Sequence, residues 1–301
     1  NHRSGVMIIE GEAGIGKTQL MNTLILWIQA QRISYAISSG DAIERLTPYY
    51  PWRQILSQLL QFENLPNPTT RRNHLSQILQ LPAELVPLMP LLNLILGVDF
   101  SETELIQEMS PSVHAENTRF ILLEILRHCC QTSQPIIFLE NAQWLDSASW
   151  SLILAVCQQS FPIQFVIVTR PLSPSPEYQQ LQQLPIVQRI QLQGLSREDT
   201  ATLICQKLNA SSVSSTLASL IYEKTEGHPL YSEELAQTLF ETGRIQLQAP
   251  ERQLVIDTPL SVVFEMPTTL QALITDRIDH LLPPQQLTLK TASVIGRRFT
   301  Y

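Results

Sequence analysis

One short segment near the start of the chain has the spacing of a phosphate-binding loop. It satisfies the pattern G-x-x-x-x-G-K-[ST] and reads Gly11-Glu12-Ala13-Gly14-Ile15-Gly16-Lys17-Thr18. Its glycines allow the backbone to curl so that successive N–H groups point at one centre. Lys17 supplies a positive charge for the β- and γ-phosphates, and the Thr18 hydroxyl is placed to ligate Mg²⁺. This loop and the next residue, Gln19, are therefore the predicted nucleotide-binding segment.

Such a loop needs a second acidic site at the end of another buried strand, to hold magnesium through water. Glu140 has this position because it follows the apolar run Ile136-Ile137-Phe138-Leu139. We predict that Glu140 and Thr18 together form the metal site; the plain alternative for Glu140 is a solvated carboxylate at a strand end. Asn141 stands where many related enzymes carry a carboxylate that polarises the attacking water. Asparagine orients water but cannot accept its proton, so slow or absent hydrolysis stays open.

Arg170 is the fourth candidate catalytic residue, after Lys17, Glu140 and Asn141. It follows the buried run Ile163–Thr169. A parallel strand next to the others ends at the same rim of the sheet, where ligands bind. Thr169 or Arg170 is therefore expected to sense the γ-phosphate. The alternative is that Arg170 is a surface charge before a proline loop.

The elements that position these residues are apolar runs that alternate with helical patterns. This alternation predicts a doubly covered parallel sheet, an α/β fold. Runs typical of buried strands lie at 6–9, 33–38, 135–140 and 163–169, with a weaker one at 187–192. The segment at about 41–130 is predicted to be a helical insert. The buried face of the helix after the loop is expected to contain Leu20, Leu24, Trp27 and Ile28. Asp146 is expected to cap a later helix.

After Gly194 the strand patterns fade and helices are expected. Ser196 begins a segment similar to a capping box, and further helices are predicted at about 213–225, 230–242 and 269–282. Residues Gln246 to Val262 carry glutamine and proline and are expected to form an exposed connection. We divide the chain into a core at 1–193, a helical subdomain at 194–262 and a third part at 263–301.

Composition narrows the class of protein. The chain has 301 residues, 44% of them apolar, and a formal charge of −7 from 20 Lys+Arg and 27 Asp+Glu. This balance argues against a surface that coats nucleic acid. The four cysteines lack metal-ligand spacing and are expected to be small buried side chains in a reducing, cytoplasmic compartment. No segment is expected to cross a membrane. We interpret the chain as part of a longer protein, because it begins at Asn1 and stops at Tyr301 without a tail.

Four segments together resemble the AAA-type ATPase module of the signal-transducing STAND class. Similar modules are attached to soluble adenylyl cyclases, to cyanobacterial cyclases and to large LuxR-type regulators, and the segment 47–53 favours the cyclase-associated branch. The resemblance is carried by the loop 10–18, by Phe138–Asp146, by Glu226-Gly227-His228-Pro229-Leu230 and the residues up to Leu235, and by 270–299.

The resemblance implies a P-loop ATPase core that binds ATP or ADP with Mg²⁺, a helical lid at 194–262 and the start of a winged-helix domain at 263–301. It implies that Pro229 lies near the adenine or sugar. It also implies flanking cyclase, kinase or helical-repeat domains as partners. Two departures put turnover in doubt: Asn141 replaces a second acid and Gln143 replaces a histidine of the family pattern.

Three functions remain open at this point. The leading hypothesis is an ATP-dependent switch module that hydrolyses ATP slowly in a cleft between sheet and lid. The second is a scaffold that retains nucleotide without hydrolysing it, which Asn141 favours. The third is a DNA-associated ATPase of the replication-initiator or LuxR kind, which the acidic balance disfavours.

Overall fold

The structure is a computed structural model that describes residues 4–79, 83–171, 175–257, 270–279 and 281–295. The chain divides into two compact units. The first comprises Asn1–Ala13 and Lys17–Leu192, and the second comprises Gly14–Gly16 and Gln193–Tyr301.

A parallel five-stranded sheet organises the first unit. Its strands, in the spatial order β2-β3-β4-β1-β5, are all parallel to their neighbours. Their bounds are β1 Gly5–Glu10, β2 Tyr35–Ser39, β3 Ile136–Glu140, β4 Gln164–Thr169 and β5 Val187–Gln191. The strand β1 lies inside the sheet, between β4 and β5. Its residues are near-continuously apolar, as expected of a strand that is buried on both faces. The predicted α/β class is confirmed.

Helices connect these strands, and those between β2 and β3 form a long insert. The helices of the first unit are α1 Lys17–Ala30, α2 Tyr50–Leu59, α3 Pro68–Ile78, α4 Glu104–Gln107, α5 Pro111–Thr132, α6 Ser147–Gln158 and α7 Pro176–Gln182. Short 3₁₀ segments lie at Phe62–Asn64, Ala83–Leu92 and Ala142–Trp144, and a π-helical turn lies at Asn93–Gly97. Prolines 87 and 90 fit the 3₁₀ segment because they would break an α-helix.

The two faces of the sheet bury separate apolar clusters, as strand alternation requires. On one face Ile8, Phe165 and Ile167 join a large cluster with helices of the insert. On the other face Ile9 and Val168 pack with Met21 and Ile28 of α1.

The buried face of α1 differs from the predicted one. Met21 and Ile28 are each 1% exposed, whereas Leu20 and Trp27 are 40% and 58% exposed. The expectation for Leu20 and Trp27 was therefore wrong. Apolar residues surround most of this helix, so their spacing does not single out one face.

The second unit combines helices with a small sheet. Its helices are α8 Arg197–Lys207, α9 Ser215–Thr225, α10 Pro229–Glu241, α11 Leu270–Asp279 and α12 Pro283–Ile295. Its strands are β6 Ser212–Val213, β7 Ile245–Gln248 and β8 Gln253–Ile256, in the order β6-β8-β7, with β7 and β8 antiparallel.

For residues 246–257 this sheet corrects the expectation that the segment 246–262 forms an exposed connection. Residues 258–262 lie outside the described residues. Leu254 of β8 is fully buried, and Ile245 of β7 is 1% exposed. Alternating apolar residues on either side of a four-residue turn mark a hairpin, which the glutamines and the proline obscured.

Of the proposed winged-helix part, residues 263–269, 280 and 296–301 lie outside the described residues. None of the described helices combines the length and hydropathy needed to cross a membrane.

Candidate nucleotide-binding site

The glycine loop lies between β1 and α1, as the motif requires. Gly14 has φ +82° and Gly16 has φ +101°, both in the left-handed region that favours glycine. The Gly11 N–H donates to the Thr169 carbonyl at 3.3 Å, which ties the start of the loop to the end of β4. Among the other loop positions, Glu12, Ala13 and Gln19 are exposed and Ile15 is half-buried.

Lys17 folds back onto the loop that precedes it. Its Nζ donates to the carbonyl oxygens of Gly11 at 2.8 Å and of Glu12 at 2.6 Å. Burial, and secondly the positive charge of Arg170, lower the pKa of the Lys17 ammonium. Because the positive charges of Lys17 and Arg170 repel each other, an anion that binds near both side chains is stabilised.

Thr18 and Glu140 meet across the site. The Thr18 Oγ1 donates to the Glu140 Oε1 at 2.5 Å. Glu140 is the last residue of β3, and its carbonyl accepts the Gly40 N–H at 2.9 Å. A hydroxyl oxygen beside a carboxylate oxygen is a donor set that suits Mg²⁺. The structure thus brings together the two residues that the sequence proposed as metal ligands.

Asn141 begins a polar network at the same edge of the sheet. It has φ +50°, a backbone conformation that asparagine tolerates better than most residues. Its Nδ2 donates to the Ser39 Oγ at 3.0 Å, and its Oδ1 accepts from Gln143 at 3.5 Å. Gln143 Oε1 in turn accepts the Arg170 N–H at 3.3 Å. This network links the ends of β2, β3 and β4.

The sequence left Thr169 and Arg170 as alternatives for sensing phosphate. Thr169 is fully buried, and its hydroxyl donates to the Arg170 carbonyl at 2.9 Å. Arg170 is exposed and lies close enough to Lys17 to lower its pKa. Of the two, Arg170 therefore has the side chain that is accessible to a ligand.

Pro229 is the first residue of α10 in the second unit. His228 precedes it and caps the helix, with its Nδ1 accepting the Tyr231 N–H at 3.3 Å. Gly14, which groups with this unit, accepts the Leu230 N–H at 3.3 Å. A Cβ at Gly14 would lie 2.8 Å from His228 Cε1, so glycine is required for this approach.

Sequence reasoning missed Ser39, His228 and the bridging role of Gln143. Ser39 ends β2 and pairs in register with Glu140. A polar residue followed by Gly40 at the end of a strand was a signal available in the sequence. The Gln143 bridge depends on the order of β3 and β4, which no local pattern reveals.

Comparison with known proteins identifies the family. Residues 1–168 match the family described as AAA ATPase domain, which is more than half of the chain. The chain therefore belongs to the AAA ATPase domain family, whose members bind nucleotide at a P-loop. Residues 196–248 match a domain of unknown function, DUF8739.

Curated relatives cover much of this chain at low identity. Adenylate cyclase type 10 of Homo sapiens is 24% identical over 245 residues, which is 79% of this chain and 15% of that protein. The protein of the same name from Oryctolagus cuniculus is 23% identical over 241 residues, again 15% of its length. The chain thus spans only a small part of these relatives.

Two solved structures are similar to this chain at lower identity. One is a Signal Transduction ATPase with Numerous Domains (STAND) protein with a tetratricopeptide repeat sensor from Pyrococcus horikoshii. It has a TM-score of 0.49 and 17% identity, and the match covers 99% of this chain and 33% of that chain. The other is CDC6P from Pyrobaculum aerophilum, with a TM-score of 0.45 and 13% identity. This match covers 81% of this chain and 57% of that chain.

Proposed function

We propose that this chain binds Mg-ATP and hydrolyses it slowly as the regulatory switch module of a larger signalling protein. The observation that carries the proposal is the 2.5 Å contact between the Thr18 hydroxyl and the Glu140 carboxylate, beside the loop that holds Lys17. Membership of the AAA ATPase domain family supports nucleotide binding.

The residues of the site fit a nucleotide with magnesium. Thr18 and Glu140 would hold the ion, and Lys17 and Arg170 would place positive charge on the phosphates. Bound Mg²⁺ would supply neutralisation of the charge that develops on the phosphate oxygens. The Lys17 ammonium would exchange its bonds to the carbonyls of Gly11 and Glu12 for bonds to phosphate. The loop N–H groups and the start of α1 add further positive potential.

Slow turnover follows from Asn141. Its amide is tied to Ser39 and Gln143, so it can orient a water molecule at a fixed position. It cannot take the proton of that water, because an amide is not a base at neutral pH. Hydrolysis would then depend on charge stabilisation by Lys17 and Arg170 without general-base assistance.

The regulatory part of the proposal rests on the relatives. Proteins named adenylate cyclase type 10 contain a region similar to this chain that makes up 15% of their length. We propose that this module likewise belongs to a larger protein, such as a nucleotide cyclase, and that its nucleotide state is transmitted to flanking domains. Pro229 would contact the base or sugar in this scheme.

The test is to measure Mg-ATP binding and phosphate release for the wild-type chain and for Lys17→Ala. Lys290→Ala is the matched control, because it removes the same charge from an exposed position on α12. We expect binding with slow release in the wild type and in Lys290→Ala, and loss of both in Lys17→Ala. Absence of binding, or equal binding in all three, would overturn the proposal.

A second candidate function is a scaffold that keeps nucleotide as a structural ligand. Asn141 favours it, because the residue that would act as base in a related enzyme is absent. Binding of Mg-ATP without any release of phosphate in the same experiment would select this candidate.

A further inference from the structure

A cavity lies in the helical insert of the first unit. Its volume is about 430 Å³, within the range of sites that hold small organic molecules. It is lined by residues of α2, of the 3₁₀ turn Phe62–Asn64, of α3 and of the Asn93–Gly97 segment. None of the residues discussed for nucleotide binding takes part in it.

Two arginines line this cavity, and each is held against an aromatic ring. Arg53 lies over the Tyr50 ring with 6.0 Å between the guanidinium carbon and the ring centroid. Arg71 lies over the buried Phe62 ring at 5.8 Å, and its Nε donates to the Leu65 carbonyl at 3.0 Å. A guanidinium that lies over an aromatic face still has N–H donors at its edge for an anion.

Within the part of the chain that the structure describes, no ion pair neutralises the positive charge of these arginines. Among the described residues, no carboxylate lies within 4.0 Å of Arg53 or Arg71, whereas the neighbouring Arg72 pairs with Asp99 at 3.5 Å. The Nε of Arg53 is also buried without a hydrogen-bond partner. Glu63 is the acidic residue of the lining, and it is exposed. An anion in the cavity would stabilise both guanidiniums.

A glycine lies next to one of the guanidiniums. Gly97 has φ +61°, which favours glycine, and a Cβ built there would lie 3.0 Å from Arg71 Nη1. A larger residue would press on the guanidinium, so the glycine permits its present position. Ser57 and Gln54 add polar groups to the lining.

We propose that this cavity binds a small organic anion whose carboxylate or phosphate group is held by Arg53 and Arg71. Planar guanidiniums bind both groups through paired N–H donors. The cavity volume leaves room for the rest of a small metabolite next to Leu96. The site is independent of the proposed ATP site, and its occupancy would stabilise the insert.

The test uses two probes, succinate for the carboxylate and inorganic phosphate for the phosphate, in isothermal titration. Both are titrated into the full chain and into Lys17→Ala, so that binding at the phosphate loop is separated from binding in the cavity. We expect at least one probe to bind the Lys17→Ala chain with a Kd of about 1 mM or tighter. The probe that binds identifies the chemical group.

Variants then assign the binding to the two arginines. Arg53→Gln and Arg71→Gln are each expected to weaken it about tenfold or more, because each removes a charge-assisted bond. Arg53→Lys keeps the charge but loses the fork of donors, and an intermediate loss is expected. Arg72→Gln is the matched control and is expected to leave binding unchanged.

Two outcomes would overturn the proposal. One is that neither probe binds the Lys17→Ala chain; the other is that Arg72→Gln weakens binding as much as Arg53→Gln. The unfolding temperature of each variant is measured alongside, because Arg71 also packs on Phe62. If Arg71→Gln does not fold, the comparison of Arg53→Gln, Arg53→Lys and Arg72→Gln still decides the question.

Discussion

At the scale of single residues, the proposed function assigns to Asn141 the balance between nucleotide binding and turnover. Asn141→Asp should raise phosphate release roughly 10²-fold, because a carboxylate there can accept the proton of the attacking water. Aspartate also tolerates a positive φ, so the backbone at φ +50° need not change. The measurement is the initial rate of release with saturating Mg-ATP.

The control for this substitution is Asn141→Ala, which also loses the bond to Ser39. A rise in both variants would show that release of the network, and not a new base, increases the rate. No rise in Asn141→Asp would show that the chain lacks further catalytic parts, which favours the scaffold.

The buried cysteines predict how stability depends on pH. Burial raises the pKa of Cys129 and of Cys157 to about 12, from an ordinary value of 9.0. Between these values the unfolded chain loses thiol protons that the folded chain keeps. The free energy of unfolding should therefore fall as pH rises from 9 to 12, by about 1.4 kcal/mol per pH unit for each thiol. Below pH 9 these thiols contribute no dependence.

Urea unfolding of Cys157→Ala across this range checks the pH prediction. Removing one titrating thiol should make the alkaline decline shallower than in the wild type. Cys205→Ala is the comparison, since Cys205 is only half-buried and should change the slope less. An unchanged slope in Cys157→Ala would contradict the argument.

At the scale of elements, the start of α6 depends on one carboxylate. Asp146 accepts the Ser149 N–H at 2.8 Å, the Ser149 hydroxyl at 2.6 Å and the Tyr49 N–H at 3.1 Å, and it is 7% exposed. Asp146→Ala would remove the cap and leave buried donors unpaired. We therefore expect the free energy of unfolding to fall by about 3 kcal/mol. Urea unfolding measures this change.

The matched control is Asn67→Ala at the start of α3. Asn67 caps that helix through the Thr70 N–H at 2.8 Å, but in an exposed setting. Asn67→Ala should lower the free energy of unfolding by about 1 kcal/mol. Equal losses for the two variants would show that the bond to Tyr49 contributes nothing.

The sequence predicted correctly the strands that consist of a continuous run of apolar residues. The apolar runs of β1, β3 and β4 are continuous, so burial on both faces was evident, and the cap at Asp146 was predicted and is confirmed. The hairpin of β7 and β8 was missed because its strands have four residues each. The face of α1 was missed because its apolar residues do not define one side.

The contacts of the candidate site likewise fall into those that the sequence predicted and those that it did not. Thr18 and Glu140 were expected to form one metal site because a phosphate loop needs an acidic group at the end of another buried strand. The contacts of Asn141 with Ser39, and of Gln143 with Arg170, depend on strand order and register. Those are set by packing between segments far apart in sequence, which spacing alone cannot show.

At the scale of the whole molecule, ligand binding and stability are linked. A ligand that binds the folded chain alone stabilises it by about 2.7 kcal/mol when present at a hundred times its Kd. For a unit the size of the first one, this corresponds to a rise of about 5–10 °C in unfolding temperature. Mg-ATP should therefore shift the transition of the unit that holds Lys17, Thr18 and Glu140.

Scanning calorimetry checks this shift and tests whether magnesium takes part. The shift should shrink when EDTA removes Mg²⁺, because Thr18 and Glu140 would then face the phosphates without a shared cation. Glu140→Gln should reduce the dependence on magnesium, since an amide is a weaker ligand, and Lys17→Ala should abolish the shift altogether. Lys290→Ala should retain both effects. A shift that is equal with and without Mg²⁺ would show that ATP binds through Lys17 and the loop alone, and that the contact of Thr18 with Glu140 is structural.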